Sequence, residues 1–171
     1  MVKTSFKVVP DTNVLIASEK SMSESSPNKE FFERWKNEEF DILYSDDTLL
    51  EYIEKMREKN IPEEIIKKLI RAILELGRNV YIIFYHLPFY PVDSDDIAFL
   101  LCAENGKATH VVSYDSHLKS IEPFYSFKVC ETKINKFLSV SYDGTFLLER
   151  KVWLEFLFEL RKELVGNNQK K

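Results

Sequence analysis

Short apolar runs alternate with amphipathic stretches along the first 138 residues of the chain. Phe6–Val9 is β-branched and apolar and predicts a strand, and Phe40–Tyr44 predicts a second. Between them a helical pattern follows Asn28, with Phe31, Phe32 and Trp35 on one face. Thr48–Lys59 sets Leu49, Leu50, Ile53 and Met56 at helical spacing. Pro62 opens a further helix, with Ile66, Leu69, Ile70 and Ile73 as its stripe and Gly77 as its stop. Val80–Phe84 is apolar throughout and predicts a central strand covered on both faces. Ser94 is placed to cap a helix over Asp95–Asn105 that stops at Gly106. Thr109–Ser113 predicts a strand, Phe127–Cys130 a weaker one, and Lys133–Leu138 a short helix. Short strands separated by helices define an α/β fold with a mainly parallel central sheet flanked by helices.

After Leu138 the pattern changes. Ser141–Gly144 predicts a turn, carried by Asp143-Gly144. Glu149–Leu164 predicts a long helix with Trp153, Phe156, Leu157, Leu160 and Leu164 on one face, widened by Val152, Leu154 and Phe158. So apolar a face needs cover, from its own domain or from a second copy of the chain. The chain therefore divides into a domain over 1–138, a C-terminal extension with an amphipathic helix over 139–165, and a polar tail over 166–171.

Composition narrows the class. At 171 residues, 44% hydrophobic and 30% charged, the chain is long enough to bury a core without staples. The net charge of −4 excludes a uniformly basic surface but leaves room for a local basic face. Cys102 and Cys130 are far apart and form no CxxC or Cys/His cluster, which argues against zinc and for two reduced thiols. No apolar run approaches the ~20 residues that cross a bilayer, and the N-terminus lacks a signal-peptide core. No membrane association and a cytoplasmic location are the expectations.

The acids carry the chemistry. Ligands of parallel α/β sheets bind beyond the carboxyl ends of the strands, and each main predicted strand is followed by a carboxylate. Asp11 follows the first. Asp46 and Asp47 follow the second, with Glu51 one turn later. Asp93, Asp95 and Asp96 follow the apolar run after Gly77, and Asp115 follows Ser113. Taken singly, each has an ordinary explanation: Asp95 and Asp96 suit a helix dipole, Glu51 a solvated helix face, Asp115 a helix cap. Gathered at one edge, they demand raised pKa values or a bound cation. An oxygen-only donor set suits Mg²⁺ or Mn²⁺, and the chemistry that follows is phosphodiester hydrolysis with a metal-activated water.

Four stretches together resemble the PIN-domain nucleases, the group that includes VapC toxins. They are Asp11-Thr-Asn-Val-Leu-Ile-Ala-Ser, Ser45-Asp-Asp-Thr-Leu-Leu-Glu51, Pro91-Val-Asp-Ser-Asp-Asp-Ile-Ala-Phe-Leu-Leu-Cys-Ala and His110-Val-Val-Ser-Tyr-Asp115. With Val129–Leu138 as a closing strand and short helix, the resemblance covers about residues 5–138 in order. It implies a PIN-like three-layer fold and metal ligands at Asp11, Glu51, Asp96 and Asp115. The third position is shared between Asp95 and Asp96, and the helix pattern favours Asp96. Asn13 and Ser113, with Asp93 nearby, are similar to the supporting polar residues that orient the ligands. One departure stands out: many relatives carry a further acid two positions after the fourth aspartate, and here that position is His117. His86 and His110 read as structural.

The activity so implied is cleavage of single-stranded RNA by an Mg²⁺- or Mn²⁺-dependent endonuclease, leaving 5′-phosphate and 3′-hydroxyl ends. Substrate contacts are assigned to Thr12, Tyr114, His117, Lys55 and Lys119, with Tyr114 placed to stack on a base. Arg57, Lys59, Lys67, Lys68, Arg71 and Lys107 add positive charge on nearby predicted helices and turns, where a solvated face is the plainer reading. The candidate partners are RNA, an antitoxin protein and a second copy of the chain. Three functional readings follow: the toxin of a toxin–antitoxin pair, an RNA-processing nuclease without an antitoxin, and a non-catalytic module that binds RNA or protein.

Overall fold

The structure is a computed structural model that describes residues 5–21 and 26–133. The chain runs β1 (Lys7–Pro10), α1 (Thr12–Lys20), α2 (Pro27–Lys36), β2 (Asp41–Tyr44), α3 (Asp46–Glu58), α4 (Glu63–Leu76) and β3 (Arg78–Asn79). It continues with α5 (Asp96–Gly106), β4 (His110–Val112), α6 (Ser116–Ile121), a 3₁₀ turn (Glu122–Phe124) and β5 (Lys128–Cys130). The strands form one sheet in the order β3-β2-β1-β4-β5, and every pair is parallel. Val8 pairs with both Ile42 and His110, so β1 lies at the centre.

Burial explains the strand sequences. Val8, Val9, Ile42, Val111 and Val112 are fully buried, as expected of parallel strands covered on both faces. Helix α2 adds Phe31, Phe32 and Trp35 to the core, α3 adds Tyr52 and Met56, α4 adds Ile66, Leu69 and Ile73, and α5 adds Phe99 and Leu100. Ile70 is only partly buried and Leu50 is exposed, which narrows the predicted stripes. Among the described residues no helix is long and apolar enough to cross a membrane.

Several local expectations are corrected. Val80–Phe84 is not a central strand: β3 stops at Asn79 on the outer edge of the sheet, and Tyr81, Ile83 and Phe84 point outward. The apolar run measures the tendency to be buried, and it names no pairing partner. Its ladder role ends with Val80, whose amide donates to the Tyr44 carbonyl at 2.7 Å. Beyond it, the Asn105 side chain takes the place of a strand. Its Oδ1 accepts from the amides of Ile83 and Phe84, both at 2.8 Å, and its Nδ2 donates to the carbonyls of Phe84 and Leu101.

Helix α5 begins behind Asp95, and Ser94 does not cap it; the Asp93 carboxylate accepts instead from the Asp95 amide at 3.0 Å. Ser26 precedes α2, with Pro27 at its first position, ahead of the expected Asn28. Helix α1 was hidden in the motif after Asp11, because its apolar residues run consecutively and show no helical period. The predicted helix ending at Leu138, the turn at Ser141–Gly144, the helix Glu149–Leu164 and the tail lie outside the described residues.

Candidate active site

The sheet changes direction between β1 and β4. From β1 the chain builds outward to β2 and β3, and from β4 it builds the other way to β5. Such a switch point opens a crevice beyond the strand ends. Asp11 leaves β1 there and Ser113 leaves β4 there. The end of β1 is pinned by Tyr52, whose hydroxyl donates to the Pro10 carbonyl at 2.6 Å while its ring packs 5.8 Å from that of Phe99. Helices α3 and α5 are thereby drawn to the same point. Helix α3 is itself aligned by a reciprocal cap: Ser45 Oγ accepts from the Thr48 amide, and Thr48 Oγ1 accepts from the Ser45 amide at 2.9 Å.

Asp11 is buried and caps α1. Its Oδ1 accepts from the Asn13 amide at 3.3 Å; its Oδ2 accepts from Asn13 Nδ2 at 3.4 Å and from Ser113 Oγ at 2.5 Å. Ser113 Oγ in turn accepts from the Asp115 amide at 2.9 Å, and Asp115 Oδ1 accepts from the His117 amide at 2.7 Å. One hydroxyl thus links the Asp11 carboxylate to the backbone of Asp115, 104 positions away in sequence. Asn13 and Ser113 hold Asp11 as supporting residues would, a geometry that sequence spacing alone does not show.

Asp96 opens α5 and is 7% exposed; its Oδ2 is buried with no hydrogen-bond partner among the described residues. Burial, followed by the charges of Asp11 and Asp115, pushes its carboxyl up to about 7. Burial also raises the Asp11 carboxyl, against the lowering hydrogen bonds from Ser113 and Asn13, and Asp115 raises it further. Asp11, Asp96 and Asp115 therefore form one mutually repelling group.

Asp95 raises the Asp96 carboxyl least of the four acids near it. It is exposed, and Lys55 Nζ lies 2.8 Å from its Oδ2. The Lys55 ammonium is raised, first by this hydrogen bond. Glu51, one turn earlier on α3, is raised by partial burial and lowered by Lys55, with Asp95 opposing. Glu51 thus stands at the flank of the acid group, beside the Lys55–Asp95 pair.

The remaining candidates are placed as follows. Thr12 is buried, and its hydroxyl has no partner among the described residues. Asp93, His117 and Lys119 are exposed. Tyr114 is half-exposed, and its hydroxyl is held by Asn28 Oδ1 at 2.6 Å and by Thr132, which itself donates to Asn28 at 2.8 Å. Asn28 and Thr132 were missed. They reach Tyr114 from 86 and 18 positions away, and neither carries a local signal. His110 is buried against the ring of Phe6, and burial lowers it to about 4. His86 is exposed, with its ring 6.3 Å from that of Tyr90. Both cysteines are free and buried, their thiols pushed up to about 12. Arg57 is engaged by Glu63 at 2.6 Å.

The donor chemistry fits a hard divalent cation: three carboxylates in mutual repulsion, one with an unpaired buried oxygen, and no soft ligand. Among the described residues no three such side chains are already drawn together as a metal-binding group.

An all-parallel α/β domain with an oxygen-only acidic cluster at its switch point is the class that these observations define. A family model described as PIN domain matches residues 7–117, about two thirds of the chain, and the chain belongs to that family. PIN domains are generally nucleases that depend on divalent metals. No curated protein matches the chain.

Proposed function

We propose that this protein is an Mg²⁺- or Mn²⁺-dependent endoribonuclease that cuts single-stranded RNA. The observation that carries the reading is the convergence of Asp11, Asp96 and Asp115 at the β1–β4 switch point, with Asp96 Oδ2 buried and unpaired. These three residues would hold the cation, with Glu51 reaching in from the flank. When bound, such an ion activates water for attack on phosphorus and neutralises charge on the leaving oxygen.

The protein's own groups do the rest. Ser113 and Asn13 orient Asp11 and oppose the rise of its carboxyl that burial causes. The Ser113 hydroxyl sets the spacing of Asp11 and Asp115 by accepting from the Asp115 amide. Lys55 and Lys119 supply positive charge beside an otherwise acidic mouth, where phosphates must approach. The exposed ring of Tyr114, held by Asn28 and Thr132, offers a fixed face to a base. No buried thiol or histidine serves as nucleophile, since Cys102, Cys130 and His110 are packed in the core. The expected products are 5′-phosphate and 3′-hydroxyl ends without a cyclic phosphate.

The test is cleavage of an end-labelled single-stranded RNA in Mn²⁺, wild type beside Asp11→Asn. Cleavage by wild type alone, abolished by chelator, supports the reading. Equal cleavage by both proteins, or RNA binding with no cleavage in either, overturns it. Growth arrest on expression, relieved by Asp11→Asn, would mark a toxin within this reading.

A further inference from the structure

The segment between β3 and α5 contains the sequence Val80-Tyr-Ile-Ile-Phe-Tyr-His-Leu-Pro-Phe-Tyr-Pro-Val92, without one acid, lysine or arginine. It is firmly anchored. Asn105 holds Ile83 and Phe84 by three hydrogen bonds and donates a fourth to the Leu101 carbonyl, and Leu87 is buried. The Tyr125 hydroxyl donates to the Phe89 carbonyl, and Phe89 stacks on Phe124 with centroids 4.4 Å apart. Yet Tyr81, Ile83, Phe84, Tyr85 and Val92 are each about 70% exposed or more, and Tyr90 is half-exposed. An apolar strip this dense is far from the scattered apolar residues of an ordinary surface. Being anchored, it loses little conformational entropy when covered.

We propose that this strip is the docking site of the chain's own C-terminal segment, residues 149–164. Three observations favour this occupant over a separate partner. First, the segment carries the complementary surface: Trp153, Phe156, Leu157, Leu160 and Leu164 at helical spacing, an apolar face that itself needs cover. Its four acids and four bases cancel, matching a strip with no charge to oppose them. Second, the strip is packed on the last part of the chain that the structure describes: Phe89 lies on Phe124, and Tyr125 stacks on Phe127 at 4.7 Å, directly before β5. Third, the tether is long enough. Residues 131–148 span up to ~60 Å when extended, against a radius of gyration of ~14 Å for a domain of this size. A tethered segment meets its site at an effective concentration in roughly the millimolar range, well above that of a free partner.

The test is hydroxyl-radical labelling of the full chain, reading Tyr81, Phe84, Tyr85 and Tyr90. The proposal expects weak labelling that is independent of protein concentration, in a particle with the mass of one chain. Leu157→Asp with Leu160→Asp should raise labelling several-fold while the far-ultraviolet spectrum of the domain is kept. Conversely, Phe84→Asp with Tyr85→Asp changes only exposed side chains and should speed trypsin cleavage after Arg150 and Lys151. Strong labelling of the unaltered chain overturns the proposal. Protection that fades on dilution, with a mass of two chains, overturns it in favour of a second copy. Protection that survives the double Leu substitution, or cleavage unchanged in the Phe84/Tyr85 variant, overturns it too. None of these readouts depends on nuclease activity.

Discussion

Lys55 Nζ sits 2.8 Å from Asp95 Oδ2 and so ties α3 to the segment leading into α5, beside the acid group but not within it. The pair is half-exposed, so its loss should change stability by no more than ~1 kcal/mol. Its electrostatic effect on a divalent cation is larger, because a positive charge near the site opposes binding. Lys55→Met is expected to lower the Mn²⁺ concentration for half-maximal cleavage several-fold, with urea unfolding nearly unchanged. A rise in that concentration would show that Lys55 supports the cation site.

Ser113 serves the Asp11 carboxylate and the Asp115 amide with one hydroxyl. Ser113→Ala leaves Asp11 with Asn13 alone and strips the Asp115 amide of its acceptor. A buried donor or acceptor left unpaired costs ~1–3 kcal/mol, and loss of an orienting group costs ~10–100-fold in metal affinity or activity. Both should appear, the first in denaturant unfolding and the second in RNA cleavage. Ser113→Thr retains the hydroxyl and should recover part of the activity.

The acid group sets a pH dependence of stability in chelator. The Asp96 carboxyl is raised in the folded state from 3.8 to about 7, so the fold favours the protonated form. Its contribution to stability is complete below the unfolded value and is lost as pH rises toward 7. Asp11 and Glu51 are also raised and act in the same direction. The melting temperature in chelator should therefore fall between about pH 4 and pH 7. Asp96→Asn should flatten that fall, and Mn²⁺ should reverse it by neutralising the carboxylates. A profile identical in wild type and Asp96→Asn would remove Asp96 from the group.

Asn105→Ala deletes the side chain that stands in for a strand beside Ile83 and Phe84. The site is exposed, so water restores part of the loss, and a cost of ~1–2 kcal/mol is expected. Hydrogen exchange should quicken at the Ile83 and Phe84 amides while the β1 and β4 amides keep their protection. Uniform acceleration throughout would mean that the strip unfolds only with the whole domain.

The strands at the centre of the sheet were legible because parallel strands buried on both faces are written as contiguous β-branched runs, as in Val8-Val9 and Val111-Val112. Helices α3 and α4 were legible because amphipathic spacing marks them and α4 ends before Gly77. Helix α5, by contrast, is apolar on most of its faces, runs through Gly106 and ends at Lys107, which takes a left-handed φ of 51°. Val80–Phe84 misled for the same reason that the others did not. Its composition is that of a buried strand, but among the described residues the sheet supplies no further strand beside β3, and Asn105 captures the backbone instead. Nothing near residue 80 in sequence could announce a competitor at residue 105.

The sequence by itself determined the kind of chemistry. The acids, their order behind the strands and the parallel α/β alternation are one-dimensional features, set by side-chain type and by the periods of helix and strand. The tertiary structure decided which acids are buried. Asp95 and Asp96 are neighbours in sequence, yet one turns outward to Lys55 and the other is buried toward Asp11 and Asp115. That division follows from the direction in which α5 starts and from where α3 brings Lys55. Both are properties of packing between elements, and no local pattern of residues encodes them.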